Sequence, residues 1–180
     1  TGDMVTVCDG QGRECNCTVS DVSPGQVSLV AHHWGNSQGE AVVPVRIFMA
    51  FPKADKLEHV IQKATELGAY EIAAFPSSRC VLKLDAASAE KKRERWQKIA
   101  ASAAEQSGRG RIPQVLALPS YEAALQRAAQ AELAVCFYEN EEQRTFRAAI
   151  ESAPFRTAAL LTGPEGGLAR SEVEQLSLIH

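Results

Sequence analysis

Residues 160–175 read Leu160-Leu161-Thr162-Gly163-Pro164-Glu165-Gly166-Gly167-Leu168-Ala169-Arg170-Ser171-Glu172-Val173-Glu174-Gln175. An apolar run ends in three glycines that enclose a proline and a glutamate, and a helix-forming segment follows. Glycine permits backbone angles closed to other residues and lets a ligand approach the main chain closely. Ser171 and Glu174 stand at capping-box spacing, which predicts a helix from Ser171 whose positive dipole end lies near the loop. Strand, glycine loop and helix in this order make a seat for a nucleotide-like cofactor. It is not a Walker loop, because GPEGG lacks the lysine and Ser/Thr that hold phosphates and magnesium, and it lacks G-x-G-x-x-G as well. A carboxylate inside the loop would repel a pyrophosphate. Glu165 suits a cationic or hydroxyl-rich ligand better.

Upstream of the loop, strands and helices alternate. Val43–Phe51 is a nearly continuous apolar strand, as expected when both faces are covered. Asp55 and Glu58 predict a capped helix over Lys56–Leu67, with Leu57, Val60, Ile61, Ala64 and Leu67 as its buried stripe and Gly68 as its stop. Tyr70–Phe75 reads as a strand and Arg79–Leu84 as another short one. A long helix from about Ala87 to Ser107 turns Trp96, Ile99, Ala100 and Ala103 inward. Then come strand Gln114–Leu118, helix Tyr121–Ala129, strand Leu133–Tyr138, helix Thr145–Glu151, strand Thr157–Thr162 and a last strand at Leu176–Ile179. The fold class is α/β, a mostly parallel sheet with helices on both faces. Such sheets bind ligands beyond the carboxyl ends of their strands, and Thr162–Gly167 and Tyr138–Glu139 are two such ends.

Residues 1–45 differ. Met4–Cys8, Glu14–Val19 and Val27–Ala31 are short alternating runs separated by Asp9-Gly10-Gln11-Gly12 and Ser23-Pro24-Gly25, an antiparallel pattern. Gly35–Glu40 reads as a linker, which divides the chain into residues 1–41 and 42–180. So small a β unit looks N-terminally incomplete, and Thr1 stands where a methionine would start a chain.

The 180 residues are 45% hydrophobic, enough for one core plus a small satellite. No run approaches the ~18 apolar residues of a membrane span. Five cysteines without a C-x-x-C pair favour reduced, cytosolic thiols over a disulfide framework. Cys15 and Cys17 would share one strand face as small buried side chains, and no metal site is expected. The net charge of −3 hides an asymmetry: Arg79–Arg111 carries nine bases and four acids, net +5, leaving −8 elsewhere. Arg79, Lys83, Arg95, Arg109 and Arg111 are the candidates for phosphate contact. A local basic surface for RNA and a solvated helix face both fit this distribution.

Thr162–Gly167 after an apolar strand closely resembles the bacterial 16S ribosomal RNA uridine N3-methyltransferases, the RsmE family of the SPOUT superfamily of knotted methyltransferases. Phe51-Pro52-Lys53-Ala54-Asp55-Lys56-Leu57-Glu58, Gln62–Gly68, and Arg95–Ala100 leading to Ala104–Ser107 match in the same order. The resemblance spans about residues 1–175. It implies a PUA-like β-barrel over residues 1–41 that helps bind RNA, and a SPOUT methyltransferase domain with a C-terminal trefoil knot over residues 42–180. It also implies S-adenosylmethionine as methyl donor, N3 of a 16S rRNA uridine as acceptor, a homodimer and a cytoplasmic location. The family's closing pattern, L-G-x-R-I-L-R-x-E-T, would follow the strand at Leu176–Ile179, and the sequence stops at His180.

On this reading Tyr138, Glu139, Thr162, Gly163, Pro164, Glu165, Gly166 and Gly167 contact the cofactor. Glu139 and Glu165 are candidates for the base that takes the N3 proton, and Glu165 could instead orient the loop or cap backbone amides. The alternatives are an RNA-binding module without catalysis and another nucleotide-dependent α/β enzyme.

Overall fold

The structure, a computed structural model, describes residues 1–81, 84–142 and 144–176. Three antiparallel strands come first: β1 (Met4–Cys8), β2 (Arg13–Ser23) and β3 (Gln26–Asn36), in the order β1-β2-β3. Cys15, Cys17 and Val19 alternate onto the buried face of β2. Strand β3 runs through Asn36, so the expected linker is shorter than its polar composition suggests: Gly35 pairs with Glu14 in the ladder. All five cysteines are free.

The second sheet has five strands: β4 (Val45–Ala50), β5 (Glu71–Phe75), β6 (Gln114–Ala117), β7 (Leu133–Phe137) and β8 (Ala158–Thr162). Their order is β6-β5-β4-β8-β7, and every pairing is parallel. The helices are α1 (Lys56–Glu66), α2 (Ala86–Gln106), α3 (Tyr121–Ala128), α4 (Phe146–Glu151) and α5 (Arg170–Leu176). Right-handed crossovers explain their placement. The steps β4→β5→β6 move one way and carry α1 and α2 to one face, where they pack together; the return from β6 to β7 carries α3 to the other, against β4, β5 and β8. Phe48, Ile61, Ile72, Phe75, Trp96 and Val115 fill the core.

Local chemistry accounts for the helix starts. Asp85, Ser120 and Thr145 each accept an N–H from the first turn of α2, α3 and α4. Asp55 makes no such bond at α1, where its backbone (φ −93°, ψ 11°) is not the extended form of the other three caps, and Glu58 of the expected capping box pairs with Arg95 of α2 at 2.8 Å. The α1 stripe also shifts. Leu67, expected inside, is 86% exposed, and Thr65 is buried with its hydroxyl donating to the Ile61 carbonyl at 2.7 Å. The helix ends at Glu66, so Leu67 has already left the helical face.

Two further expectations change. Arg79 lies in a turn rather than a strand, and Leu84 lies outside any strand. Leu176 is the last residue of α5 rather than the first of a strand, and residues 177–179 lie outside the described residues.

One buried arginine ties the segment between β3 and β4 to the parallel-sheet half of the chain. Arg109 is 6% exposed. It donates to the carbonyls of Thr65 (3.0 Å) and Ala69 (2.8 Å) and to Glu40 Oε2 (2.6 Å). The other oxygen of Glu40 accepts the Arg111 N–H at 2.9 Å. Replacing Arg109 by methionine takes the charged donor from the Ala69 carbonyl and from the largely buried Glu40 carboxylate. Removing one partner of a buried ion pair costs about 3 kcal/mol or more, so Arg109→Met should unfold at markedly lower urea, measured by circular dichroism.

Candidate functional site

Parallel pairing brings three strand ends together. Met49 and Phe137 both pair with Thr162, so the residues after β4, β7 and β8 leave the sheet side by side. The glycine loop follows β8 and closes on itself, with Gly167 N–H donating to the Pro164 carbonyl at 2.8 Å. Its glycines have different reasons. A Cβ on Gly163 would sit 2.9 Å from the Gly167 carbonyl carbon and the Leu168 nitrogen. Gly167 has φ +68°, and a Cβ there would run into the Glu139 carboxylate. Neither reason applies to Gly166: its nearest neighbour would be Arg79 Cβ at 3.8 Å. The chain itself leaves room for a side chain there, and the glycine keeps a backbone surface bare.

Glu165 points away from that surface and across to β4. Its carboxylate accepts the Lys53 N–H at 3.0 and 3.2 Å and pairs with Lys56 Nζ at 2.8 Å. The Lys56 ammonium, with backbone N–H groups, lowers its pKa to about 2. Such a carboxylate is ionised throughout the neutral range. It ties the loop after β8 to the segment that opens α1.

Glu139, after β7, faces the loop from the other side. Arg79 Nη1 donates to the Gly166 carbonyl at 2.7 Å and stands 4.0 Å from Glu139 Oε1. Both side chains are half exposed. Tyr138 is partly buried, with its hydroxyl accepting from Asn140 at 3.1 Å. Pro164 is buried and Thr162 half-buried. Beneath the loop, Cys136 is pushed up to about 11 by burial, which leaves it an inert thiol.

The helix after the loop starts differently from its sequence signature. Ser171 lies inside α5, and Glu172 rather than Glu174 accepts the Ala169 N–H at 2.8 Å. Its other oxygen accepts the Ser78 N–H at 2.7 Å. Glu172 is 8% exposed, so α5 is fastened to the turn that carries Arg79. Two carboxylates thus hold the loop region, Glu165 against β4 and Glu172 against the segment after β5. Their partners Lys53, Lys56 and Ser78 carried no signal of their own in the sequence, although the first two lie in the family-like Phe51–Glu58 segment.

The five bases proposed for phosphate contact do not form one patch. Arg79 is at the glycine loop. Arg95 is exposed on α2 and paired with Glu58. Arg111 precedes β6, at the opposite edge of the sheet. Arg109 is a correction: it is buried, and both its Nη atoms are taken by Thr65, Ala69 and Glu40. Lys83 lies outside the described residues. Among the described residues no group of three or more His, Cys, Asp or Glu could hold a metal ion. No described helix is long and apolar enough to cross a membrane.

This is an α/β domain with a cofactor-type glycine loop at one end of a parallel sheet. Residues 39–179 match the RNA methyltransferase domain family. The chain is 41% identical to ribosomal RNA small subunit methyltransferase E of Bacillus subtilis over 98% of its length and 71% of that protein's. It is 34% identical to the protein of the same name from Mycobacterium tuberculosis, over 98% and 68%. A Legionella pneumophila structure solved in complex with the bound cofactor SAM superposes with TM-score 0.82 at 26% identity, over 99% of this chain and 72% of that one. The chain belongs to the ribosomal RNA small subunit methyltransferase E family. The methyltransferase class implied by the family resemblance stands with it.

Gly166→Ala should keep the parent's thermal stability and lose cofactor affinity, read by calorimetry with S-adenosylmethionine. Gly167→Ala should lose stability as well, by about 1 kcal/mol, because alanine is strained in the left-handed backbone. Equal cofactor affinity in Gly166→Ala and the parent would move the cofactor off this loop.

Glu165→Gln keeps an acceptor for Lys53 and discards the charge for Lys56. A depressed folded pKa stabilises above the unfolded value of about 4.5 and is lost as pH falls through about 2. The parent should therefore be the more stable protein at neutral pH, and its advantage should shrink between these two values. Paired urea titrations across that range check the sign.

Proposed function

We propose that the chain transfers a methyl group from S-adenosylmethionine to N3 of a uridine in 16S ribosomal RNA. The observation that carries this reading is the bare backbone at Gly166, at the carboxyl edge of the sheet, in a chain of this family. Family membership favours it over a binding module without chemistry and over an enzyme using ATP or NAD.

On this reading Thr162–Gly167 and Tyr138–Glu139 hold the cofactor, whose sulfonium supplies an electrophilic methyl group. Transfer to a ring nitrogen is an in-line displacement, so the residues contribute chiefly by alignment. The acceptor nitrogen must also lose a proton. Glu165, held ionised near pKa 2 by Lys56, is a poor proton acceptor at neutral pH, since a general base works best with its pKa close to the operating pH. Glu139 is the carboxylate better placed for that role. Arg79, anchored to the Gly166 carbonyl, supplies positive charge for the oxygen that gains density as the proton leaves.

The finer architecture belongs to the same proposal. Residues 1–41 act as a PUA-like RNA-binding unit built on the β1-β2-β3 sheet. Residues 42–180 form a SPOUT domain with a trefoil knot, working as a homodimer on the small ribosomal subunit or its RNA. The cytoplasmic assignment rests on that substrate.

Mass spectrometry of ribosomal RNA from cells with and without the gene should show one methyluridine missing without it, restored by the parent. Glu139→Gln should restore it poorly. An unchanged methylation profile would overturn the assignment.

A further inference from the structure

A cavity separate from the glycine loop opens at the other end of the parallel sheet. It has a volume of about 290 Å³ and lies where the β1–β2 turn meets the residues that lead into β4, β5 and β6. The turn is fastened there by three backbone bonds: Gly12 N–H to the Gly110 carbonyl (2.9 Å), Ile112 N–H to the Gly10 carbonyl (3.0 Å) and Ser37 N–H to the Gly12 carbonyl (2.9 Å). Gly110 must lack a side chain, because a Cβ would lie 2.3 Å from that of Ser37.

The walls are cationic and aromatic. Arg111 lies over the Tyr70 ring at 5.0 Å, and Arg13, from β2, lies over Trp34 at 5.6 Å. Neither guanidinium hydrogen-bonds a carboxylate among the described residues. Of the nearby carboxylates, Glu40 is held by Arg109 and the Arg111 backbone; Asp9 accepts the N–H groups of Gln11 and Arg13 and feels both guanidiniums only through space. Stacking on a ring fixes each guanidinium plane and leaves its N–H donors facing outward. Two buried polar atoms of the lining, Ser37 Oγ and Arg109 Nε, have no hydrogen-bond partner. Arg109 is itself more than nine-tenths buried.

We propose that this cleft is a second RNA subsite, which takes one nucleotide of a single-stranded segment with its phosphate on Arg13 and Arg111. Guanidinium forks match phosphate oxygens, and guanidinium planes and exposed rings stack unpaired bases. The volume suits one such unit and excludes a duplex. The subsite rests on the RNA-methyltransferase reading and adds a distant anchor to it. Strands of five residues separate it from the glycine loop by roughly 15–20 Å, so it binds RNA well away from the methylated base. It also explains why the β1–β2 turn is fastened to Gly110 and Ile112: one wall of the cleft comes from each side of that seam.

Fluorescence anisotropy with a labelled single-stranded RNA oligonucleotide tests this on the full chain. Arg13→Gln/Arg111→Gln should bind it at least tenfold more weakly, with the salt slope reduced by about 0.7 for each phosphate that the variant no longer neutralises. Affinity for S-adenosylmethionine, measured by calorimetry, should match the parent's and shows that the variant is folded. Tyr70→Phe should behave as the parent and Tyr70→Ala should not. Parental RNA affinity and salt slope in the double variant would overturn the subsite. So would an equal loss for duplex RNA, or a loss confined to binding of free uridine monophosphate. Failure of the parent to bind S-adenosylmethionine would count against the methyltransferase reading instead.

Discussion

Strand β8 enters the sheet beside β4, and the site depends on that pairing. Parallel strands end at the same edge, so adjacency in the sheet becomes adjacency of the loops that follow. The loop after β8 therefore lies beside Lys53, although 112 residues separate Lys53 from Glu165. The same register collects the opposite ends as well. Pro44, Tyr70 and Arg111 each stand just before a strand, and they line the cleft at that end. One sheet thus presents two chemically different edges: glycine and carboxylate at one, arginine and aromatic ring at the other.

A glutamate within a glycine loop looks costly, because the loop must remain open to a ligand. The structure resolves this by direction. Glu165 turns its carboxylate to the Lys53 N–H, in the segment after β4, and to Lys56, and the backbone of Gly166 stays bare. The carboxylate stiffens what the glycines would otherwise leave loose. Glu172 does the same for the helix beyond, by holding both its own first turn and the turn carrying Arg79. Ordering a glycine loop costs more conformational entropy than ordering other residues. Two anchored carboxylates restrict that freedom without placing a side chain over the ligand surface.

Periodicity made most of the fold legible. β1 over Met4–Cys8 and the limits of β5, β7 and α3 lie within a residue or so of expectation, because continuous apolar runs and apolar stripes report burial directly. The family segments carried the location of the loop. What stayed hidden was where polar side chains go. Ser171 and Glu174 have the spacing of a capping box, but Glu172 reaches the Ala169 N–H because the cap lies two residues earlier, at Ala169. Leu67 fits the α1 stripe by number and misses it because the helix has ended. A count of bases between Arg79 and Arg111 measured charge without direction, and the side chains of that interval go to different places.

The sequence Gly108-Arg109-Gly110-Arg111 carries this last point furthest. Two arginines of identical chemistry, separated by one glycine, face opposite environments. Arg109 turns inward and satisfies two carbonyls and a carboxylate. Arg111 turns outward onto Tyr70. Gly110 lets Ser37 approach closer than any side chain would allow, which draws the β1–β2 turn onto this segment. The inward arginine secures the backbone from which the outward one projects. A cation placed for an external anion must be held against its own neighbours, since a nearby carboxylate would otherwise neutralise it. Arg109 does this by occupying Glu40, and the Arg111 guanidinium is left with a ring beneath it and an open cleft in front.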